Sequence, residues 1–326
     1  MRELHARIER FATARPFVIA RGVQHHVDVV VAEVHNDGHI GRGEGTPIYY
    51  RNDSAELAHA ALLAQRAAIA DGLTRAGLLD AMPAGAARNA LDAALWDLEA
   101  KQSGRRVWQQ IGLPQPLPML TAYTISLGDP ADMERQARVA SHRELLKLKL
   151  GGEGDLDRVS AVRKAAPDAR LIADANESWV GMDVERMCHA MALYNLELIE
   201  QPLPAGADDA LRLVHSPVPL AADESCQDRG DLGALVGRYR FINVKLDKCG
   251  GLTEALALIH AARQRGLAIM TGCMLSSSLG VAPAFLAAMH GSYADLDGPL
   301  LLANDRPGGM RFAGSDVSPP EVEFWG

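Results

Sequence analysis

Five charged residues recur along the second half of this 326-residue chain at nearly constant intervals. They are Lys149, Asp174, Glu200, Asp223 and Lys245, and each one closes a short apolar run. A β-strand with its crossover helix and loops takes about 30 residues or slightly fewer, so the spacing predicts one such residue per β/α unit. In a closed barrel of eight β/α units the carboxyl ends of the strands surround the active site. The pattern therefore predicts three carboxylates in a row at one mouth of a barrel, with a lysine on either side.

The same period extends in both directions and gives eight strand ends. Thr124, Gly272 and Asp295 mark the ends of strands one, seven and eight. We therefore predict an α/β fold of the TIM type, with the barrel over residues 116–299.

The part before the barrel has a different pattern. The runs FVIARG, VDVVVAEVHND and GHIGRGEGTP predict three strands, and apolar residues at helical spacing predict helices over 55–72 and 86–101. The Pro-rich segment GLPQPLPM at 112–119 then marks a boundary. We predict a separate α+β unit over 1–115, onto which the C-terminal tail 300–326 folds back.

Charge and cysteine usage restrict the partners and the compartment. A net charge of −8 argues against nucleic acid or an anionic membrane as partner. No apolar run reaches the roughly 20 residues that span a bilayer, and the N-terminus MRELHARIERF lacks the apolar core of a signal peptide. The four cysteines show no CxxC spacing, so we expect reduced thiols in a cytoplasmic protein; they are Cys188, Cys226, Cys249 and Cys273.

The three carboxylates are candidate metal ligands. Hard oxygen donors with waters completing an octahedron are typical of Mg²⁺, and three one-oxygen ligands leave about three positions for water or substrate. No HExxH motif or histidine pair shares these strand ends, which disfavours zinc. The sequence therefore predicts one Mg²⁺ bound by Asp174, Glu200 and Asp223.

The lysines are candidate acid–base groups. Lys147 and Lys149 are two residues apart on one strand, so both point to the same side, whereas Lys245 lies across the barrel. Neighbouring positive charges depress the pKa of a lysine, and a useful base has a pKa of roughly 7–8. We predict that one lysine of the pair binds a substrate oxygen, that its neighbour removes a proton, and that Lys245 delivers a proton to the opposite face.

Asp295 and Asp297 form a second acidic pair, again two residues apart on one strand end. Two carboxylates on one side can hold an ammonium group, although turn formation before Gly298-Pro299 also explains them. Together with the metal site they predict a small zwitterionic ligand, whose reacting carbon lies between the lysines.

At this point the chain resembles the enolase superfamily in its muconate-lactonising subgroup, and within it the dipeptide epimerases, most of all the L-Ala-D/L-Glu type. The resemblance covers nearly the whole chain. The segments that carry it are PFVIARG (16–22), PAGAARNALDAALWDL (83–98), KLK (147–149), DANESW (174–179), IEQPLP (199–204), ADESC (222–226), NVKLDKCGGLTEAL (243–256), GCML (272–275) and DLDGPL (295–300).

The resemblance implies a modified TIM-type barrel with a capping domain built from both chain ends, and a Mg²⁺-dependent 1,1-proton transfer in the turnover of murein peptides. Lys149 and Lys245 are then the two bases, and Lys147 helps to neutralise the bound carboxylate. Asp295 and Asp297 match the family's ammonium-binding motif. Thr124 is a further candidate for substrate contact.

One position departs from the family. Ala-Glu members carry an arginine in the early loop that meets the side-chain carboxylate of the substrate, and the matching residue here is Gln24. We therefore expect relaxed or altered side-chain specificity, with Gln24 among the substrate-binding residues.

Three alternatives remain open: a dehydratase or cycloisomerase of the same superfamily, an N-acylamino acid racemase, and a metal-independent Schiff-base aldolase. A homo-oligomer is possible.

Overall fold

The computed structural model describes residues 1–326 apart from the side chain of Tyr49. Eight parallel strands form one sheet in which the strand order follows the sequence. The backbone N–H of Ala122 donates to the carbonyl oxygen of Ala294 at 2.8 Å, which joins the first strand to the last. The sheet is therefore a nearly closed barrel, as predicted. Barrel strands one to eight are Tyr123–Ile125, Leu145–Lys149, Arg170–Asp174, Leu196–Glu200, Leu220–Ala222, Phe241–Val244, Ala268–Gly272 and Tyr293–Asp295.

Pairing register brings the predicted residues to one level of the barrel. Lys149 pairs with Asp174, and Asp174 pairs with Glu200. Asp223 and Lys245 directly follow strands five and six. Because parallel strands end on the same edge of the sheet, these five side chains share one mouth of the barrel.

Helices cover the outside of the barrel, since each presents an apolar face to the buried strands. Between strands four and five, however, the crossover contains only the 3₁₀ helix Asp209–Leu213. The spacing of the strands is kept there, but the α-helix of the unit is missing. The barrel helices are Pro130–Val139, Asp155–Ala165, Val184–Ala192, Leu232–Leu235, Leu246–Cys249, Leu252–Gln264, Ser278–Ala288 and Gly298–Leu301, with a further 3₁₀ turn at Arg229–Asp231.

A separate antiparallel sheet precedes the barrel. Its strands are Glu3–Ile19, Gly22–Asn36 and His39–Gly45. The first strand begins 14 residues before the predicted run at Phe17, because it is an edge strand whose charged residues obscure the alternation of apolar side chains. Its exposed face is instead held by cross-strand ion pairs, such as Arg10 with Asp28 at 2.6 Å.

Helices follow this sheet and pack on it. They are the 3₁₀ turn Tyr49–Arg51 and the helices Ala55–Ala64, Arg66–Ala70, Arg75–Ala81, Ala86–Ser103 and Val107–Gln110. The long helix Ala86–Ser103 lies directly on the strand His39–Gly45. Cβ atoms added at Gly41, Gly43 and Gly45 would each lie 2.1 Å from a carbonyl oxygen of that helix. At these three positions of the GRGEG run, only glycine allows the backbones of the strand and the helix to approach so closely.

The C-terminal tail contacts both parts of the molecule. Its short strands Phe312–Ala313 and Asp316–Val317 join Met119–Leu120 in a small sheet. The indole of Trp325 donates to the carbonyl oxygen of Ala93 at 3.2 Å. The tail thus reaches the helix Ala86–Ser103, while the exact division at residue 115 stays a prediction.

Among the helices of the described chain, none combines the length and the apolar character needed to cross a bilayer. All four cysteines are free thiols.

Candidate active site

Three buried carboxylates meet at the mouth of the barrel. Asp174, Glu200 and Asp223 are 0%, 1% and 2% exposed, and each offers an oxygen within 4.8 Å of the others. They arise at the ends of three successive strands: Asp174 pairs with Glu200, and Asp223 lies two residues after Ala221, which pairs with Glu200 on the other side. This is the oxygen donor set that Mg²⁺ prefers.

Electrostatics also fit a cation among these acids. Burial, followed by the neighbouring charge of Asp174, raises the pKa of Glu200 to about 8. Burial opposes ionisation of Asp174 as well, but Lys149 and Lys147 outweigh it and lower the pKa of that carboxyl. Three such carboxylates ionise together only when positive charge is supplied between them, which a divalent ion does.

The two candidate bases bind different acids on opposite flanks of the triad. Lys149 Nζ lies 2.7 Å from Asp174 Oδ2, and Lys245 Nζ lies 2.7 Å from Asp223 Oδ2. Burial disfavours the charged ammonium of Lys245, but Asp223 and Glu200 more than compensate and raise its pKa well above the usual value. Neighbouring positive charges are expected from the sequence to depress the pKa of such a lysine, whereas these two carboxylates act in the opposite direction.

Lys147 has a role that its position in the sequence did not indicate. Its side chain is 1% exposed, and its Nζ lies 2.6 Å from Glu200 Oε2 and 2.7 Å from Asp295 Oδ2. The ammonium of Lys147 therefore connects the metal triad to the second acidic pair. Burial opposes this charge, but Asp295, Glu200 and Asp174 together raise the pKa of Lys147 well above its usual value.

The second acidic pair is divided between two partners. Whereas Asp295 faces Lys147, Asp297 Oδ2 accepts a hydrogen bond of 2.6 Å from the backbone N–H of Thr124. Burial and the neighbouring Asp295 raise the pKa of Asp297 to about 7. Thr124 thus positions Asp297 through its backbone at the junction of barrel strands one and eight.

A cleft of about 470 Å³ opens from the two lysines toward the antiparallel sheet. Lys149 and Lys245 lie at its barrel end, and Gln24, His25 and Tyr50 line the other end. The early loop and the turn Tyr49–Arg51 therefore form the outer wall of the site.

Arg21 connects this outer wall to the barrel. Its guanidinium is 2.6 Å from Glu177 Oε2, also contacts Glu224, and stacks over the ring of Tyr50 at 4.8 Å from the centroid. Glu224 directly follows Asp223, and Glu177 lies three residues after Asp174. Sequence reasoning missed both partners, although their places in DANES and ADES, just beyond the metal ligands, were the available signal.

Neighbouring polar residues hold the acids in place. Asn243 donates to Glu200 Oε1 at 2.6 Å, and the side-chain oxygen of Gln201 accepts from the backbone N–H of Asp223 at 2.9 Å. Gln201 adopts a left-handed backbone with φ of 39°, a costly conformation for a residue with a side chain that often marks functional sites. Asn243 was detectable from sequence, because it lies on barrel strand six, two residues before Lys245.

The fold and this site define a class of barrel enzymes that combine acidic metal ligands with opposed lysines at the strand ends. Residues 132–317 match the family model described as the enolase C-terminal domain-like family, and residues 1–112 match the N-terminal domain of mandelate racemase and muconate lactonizing enzyme. The chain belongs to this family of the enolase superfamily.

Two relatives of known activity align over most of the chain. It is 42% identical to an L-Ala-D/L-Glu epimerase of Escherichia coli, over 97% of this chain and 99% of that protein. It is also 45% identical to an N-acetyl-D-glutamate racemase of a Pseudoalteromonas species, over 76% and 79% of the two chains.

Two solved structures are similar along their whole length. One is an enolase family member from Agrobacterium tumefaciens with homology to dipeptide epimerases, solved with sodium and L-Ala-L-Glu; it has 48% identity, a TM-score of 0.98 and full coverage of both chains. The other is a dipeptide epimerase from Enterococcus faecalis, complexed with Mg and L-Leu-L-Tyr; it has 30% identity and a TM-score of 0.90, over 98% and 97% of the chains.

Proposed function

We propose that this protein is a Mg²⁺-dependent dipeptide epimerase, an isomerase that inverts the α-carbon of the C-terminal residue of its substrate. The observation that carries the proposal is the placement of Lys149 and Lys245 on opposite flanks of one acidic triad, each within 2.7 Å of a different carboxylate. Two proton-transfer groups that approach the same carbon from opposite faces can invert it, because one removes the proton and the other returns one.

The metal and the lysines have separate tasks in this proposal. Mg²⁺, held by Asp174, Glu200 and Asp223, supplies positive charge that offsets the negative charge growing on the substrate carboxylate. Lys149 removes the α-proton on one face, and Lys245 returns a proton on the other. Their order reverses for the other epimer, because either lysine can start as base. Lys147, fixed by Glu200 and Asp295, supplies further positive charge at the carboxylate.

Asp295 and Asp297 hold the ammonium of the N-terminal residue in this proposal. Both are buried, and Asp295 Oδ1 has no hydrogen-bond partner among the described side chains. A buried carboxylate oxygen without a partner is costly, so a cationic group of the substrate fits there.

The side chain of the C-terminal residue points to the outer wall of the cleft in this proposal. Arg21 is already neutralised by Glu177 and Glu224, and Arg51 binds the amide of Gln227 at 2.8 Å. Of Arg21, Arg51 and His25, His25 therefore remains for a substrate carboxylate, whereas the neighbouring His26 lies 4.0 Å from Asp28. We propose that L-Ala-L-Glu is a substrate with relaxed selectivity, in keeping with Gln24.

Deuterium incorporation tests the proposed activity. The purified protein is incubated with Mg²⁺ and L-Ala-L-Glu in D₂O, and the peptide is analysed by mass and by chiral separation. We expect L-Ala-D-Glu carrying one deuterium at the α-carbon of glutamate. Loss of water from the substrate, or inversion that continues after complete chelation of divalent ions, would contradict the proposal in favour of elimination chemistry or a metal-independent lysine enzyme.

N-acylamino acid racemisation is a second candidate, favoured by the 45% identity to an N-acetyl-D-glutamate racemase. The proposed ammonium site at Asp295 and Asp297 distinguishes a dipeptide epimerase from an N-acylamino acid racemase, because an N-acylated substrate carries no ammonium group. If the substrate is a dipeptide, N-acetylation should make it poor, and Asp297→Asn should raise KM for the free dipeptide by roughly 10- to 100-fold, because a charge-assisted hydrogen bond contributes about 1.5–3 kcal/mol. Faster turnover of N-acetylglutamate than of L-Ala-L-Glu would establish the racemase instead.

Cytoplasmic location remains part of the proposal, and a homo-oligomer is possible. The four free thiols support a reducing compartment. A small zwitterionic dipeptide is the proposed partner, and the net charge of −8 argues against nucleic acid or an anionic membrane.

A further inference from the structure

A fourth lysine, Lys248, lies behind the acidic triad and outside the proposed proton transfer. It stands in the short helix Leu246–Cys249 and is 1% exposed. Its Nζ makes three hydrogen bonds: to Asp223 Oδ1 at 2.5 Å, to the carbonyl oxygen of Asp223 at 2.6 Å, and to the carbonyl oxygen of Asn243 at 3.0 Å. An ammonium has three N–H donors, so each one is used.

Lys248 and Lys245 divide the carboxylate of Asp223 between them. Lys248 holds Oδ1 from behind, while Lys245 faces Oδ2 at 2.7 Å. Lys245 lines the cleft, and Lys248 is not among its described lining residues. The carboxylate therefore cannot rotate without breaking a buried charge-assisted bond, and it presents Oδ2 toward the site.

The same ammonium also acts on the neighbouring strand. It holds the carbonyl oxygen of Asn243, whose side chain donates to Glu200 Oε1 at 2.6 Å. Lys248 is thus connected directly to one acid of the triad and through Asn243 to a second. Partners of this kind fix the orientation of metal ligands, and their loss typically weakens metal binding 10- to 100-fold.

We propose that Lys248 is a positioning residue that holds Asp223 as a one-oxygen ligand for Mg²⁺. The proposal depends on the proposed function only through the metal, since Lys248 does not line the cleft and its side chain hydrogen-bonds to neither proposed base. If Lys248 acted only through its charge, its removal would tighten Mg²⁺ binding, because a nearby positive charge repels Mg²⁺. If it positions Asp223, its removal would weaken Mg²⁺ binding. The direction of the change in metal affinity therefore separates positioning from charge.

Arg88 provides a matched control for general loosening of this region. It is another buried cation, 7% exposed, and it binds the carbonyl oxygens of Gly250 at 3.0 Å and Cys249 at 2.5 Å, at the end of the same short helix. In its described contacts Arg88 touches none of the three acids. Arg88→Met therefore removes a buried charge and its carbonyl contacts but leaves the carboxylates held.

The experiment measures binding of Mg²⁺ alone, by calorimetry, to the wild type, Lys248→Met and Arg88→Met, with folding checked by circular dichroism. We expect the Kd for Mg²⁺ to rise at least 10-fold in Lys248→Met and to stay within about threefold in Arg88→Met, although both variants have a lower Tm. Lys248→Gln keeps an amide donor for the carbonyl oxygens, so it should fold more readily and still lose at least 10-fold.

The outcomes separate this inference from the proposed function. An unchanged or tighter Kd in the Lys248 variants would overturn it, as would failure of both variants to fold, which would assign Lys248 to the scaffold. A wild type that binds Mg²⁺ but incorporates no deuterium into dipeptides would refute the epimerase and leave the positioning role intact.

Discussion

At the scale of single residues, the chemistry of this site rests on compensation between buried charges. Asp174, Glu200 and Asp223 would be unfavourable together, and lysines from three positions balance them within 2.7 Å. Removing one partner of a buried ion pair costs about 3–5 kcal/mol because the other charge is left uncompensated. Substitutions here should therefore affect stability as well as catalysis, and each test needs a readout that separates the two.

The two lysines should be separable by the epimer from which they remove a proton. In Lys149→Ala, exchange of the α-proton with D₂O should vanish for one epimer of the dipeptide and survive for the other through Lys245. Mass spectrometry of each epimer measures this, with Lys164→Ala, an exposed lysine, as control. Equal loss of exchange for both epimers in both single variants would show that the lysines act as a coupled pair and not as independent bases.

The side-chain preference should depend on Gln24. An uncharged amide does not repay the desolvation of a glutamate carboxylate, so we expect the wild type to favour L-Ala-L-Glu over L-Ala-L-Gln only modestly. Gln24→Arg should increase that preference, measured as the ratio of kcat/KM for the two peptides. A wild type that already prefers Glu by several hundred-fold, with no change in the variant, would assign recognition to another cation, with His25→Ala as the next test.

At the scale of elements, the barrel mouth depends on how closely the antiparallel sheet and the helix Ala86–Ser103 are packed. The strand His39–Gly45 delivers Glu44, which is fully buried and accepts a hydrogen bond from the backbone N–H of Ser277 at 2.8 Å. Ser277 follows the segment Cys273–Leu275 that lines the cleft. The packing of this strand on the helix is thereby connected to the wall of the site.

Gly43→Ala should destabilise the protein. The new Cβ would lie 2.1 Å from the carbonyl oxygen of Ala90, and overpacking of this kind costs about 1–3 kcal/mol. Urea denaturation measures the loss. Gly233→Ala is the control, because no described heavy atom lies within 4 Å of its added Cβ and its helix has room for alanine; it should be neutral or slightly stabilising. Equal effects of the two substitutions would refute the close-approach argument.

At the scale of the whole molecule, one ion links three strands of the barrel and should therefore stabilise the folded state. A ligand present at 100 times its Kd adds about 2.7 kcal/mol to the free energy of unfolding. We expect Mg²⁺ to raise the Tm of the wild type and chelation to reverse the increase. Glu200→Gln should bind Mg²⁺ weakly, show little increase in Tm and lose turnover. Full activity of an extensively chelated wild type would contradict the metal requirement.

The barrel and the residues at its mouth could be predicted from the sequence. Strand ends recur at a fixed chain length because each β/α unit needs a similar number of residues, so Lys149, Asp174, Glu200, Asp223 and Lys245 could be placed without coordinates. The glycines of GRGEG were visible as well, but their reason was not, because it depends on the helix that lies against them.

The pairing of the charges, in contrast, depends on how the chain folds. Lys147 faces Asp295 across 148 positions of sequence, Arg21 meets Glu177 across 156, and Lys248 holds Asp223 from behind. Such pairs follow from the closure of the barrel and from the sheet that covers it, and no local period encodes them. The long first strand likewise became recognisable only through its pairing with Gly22–Asn36. Periodicity determines which face of an element a residue occupies, whereas the packing of elements determines which residue it meets.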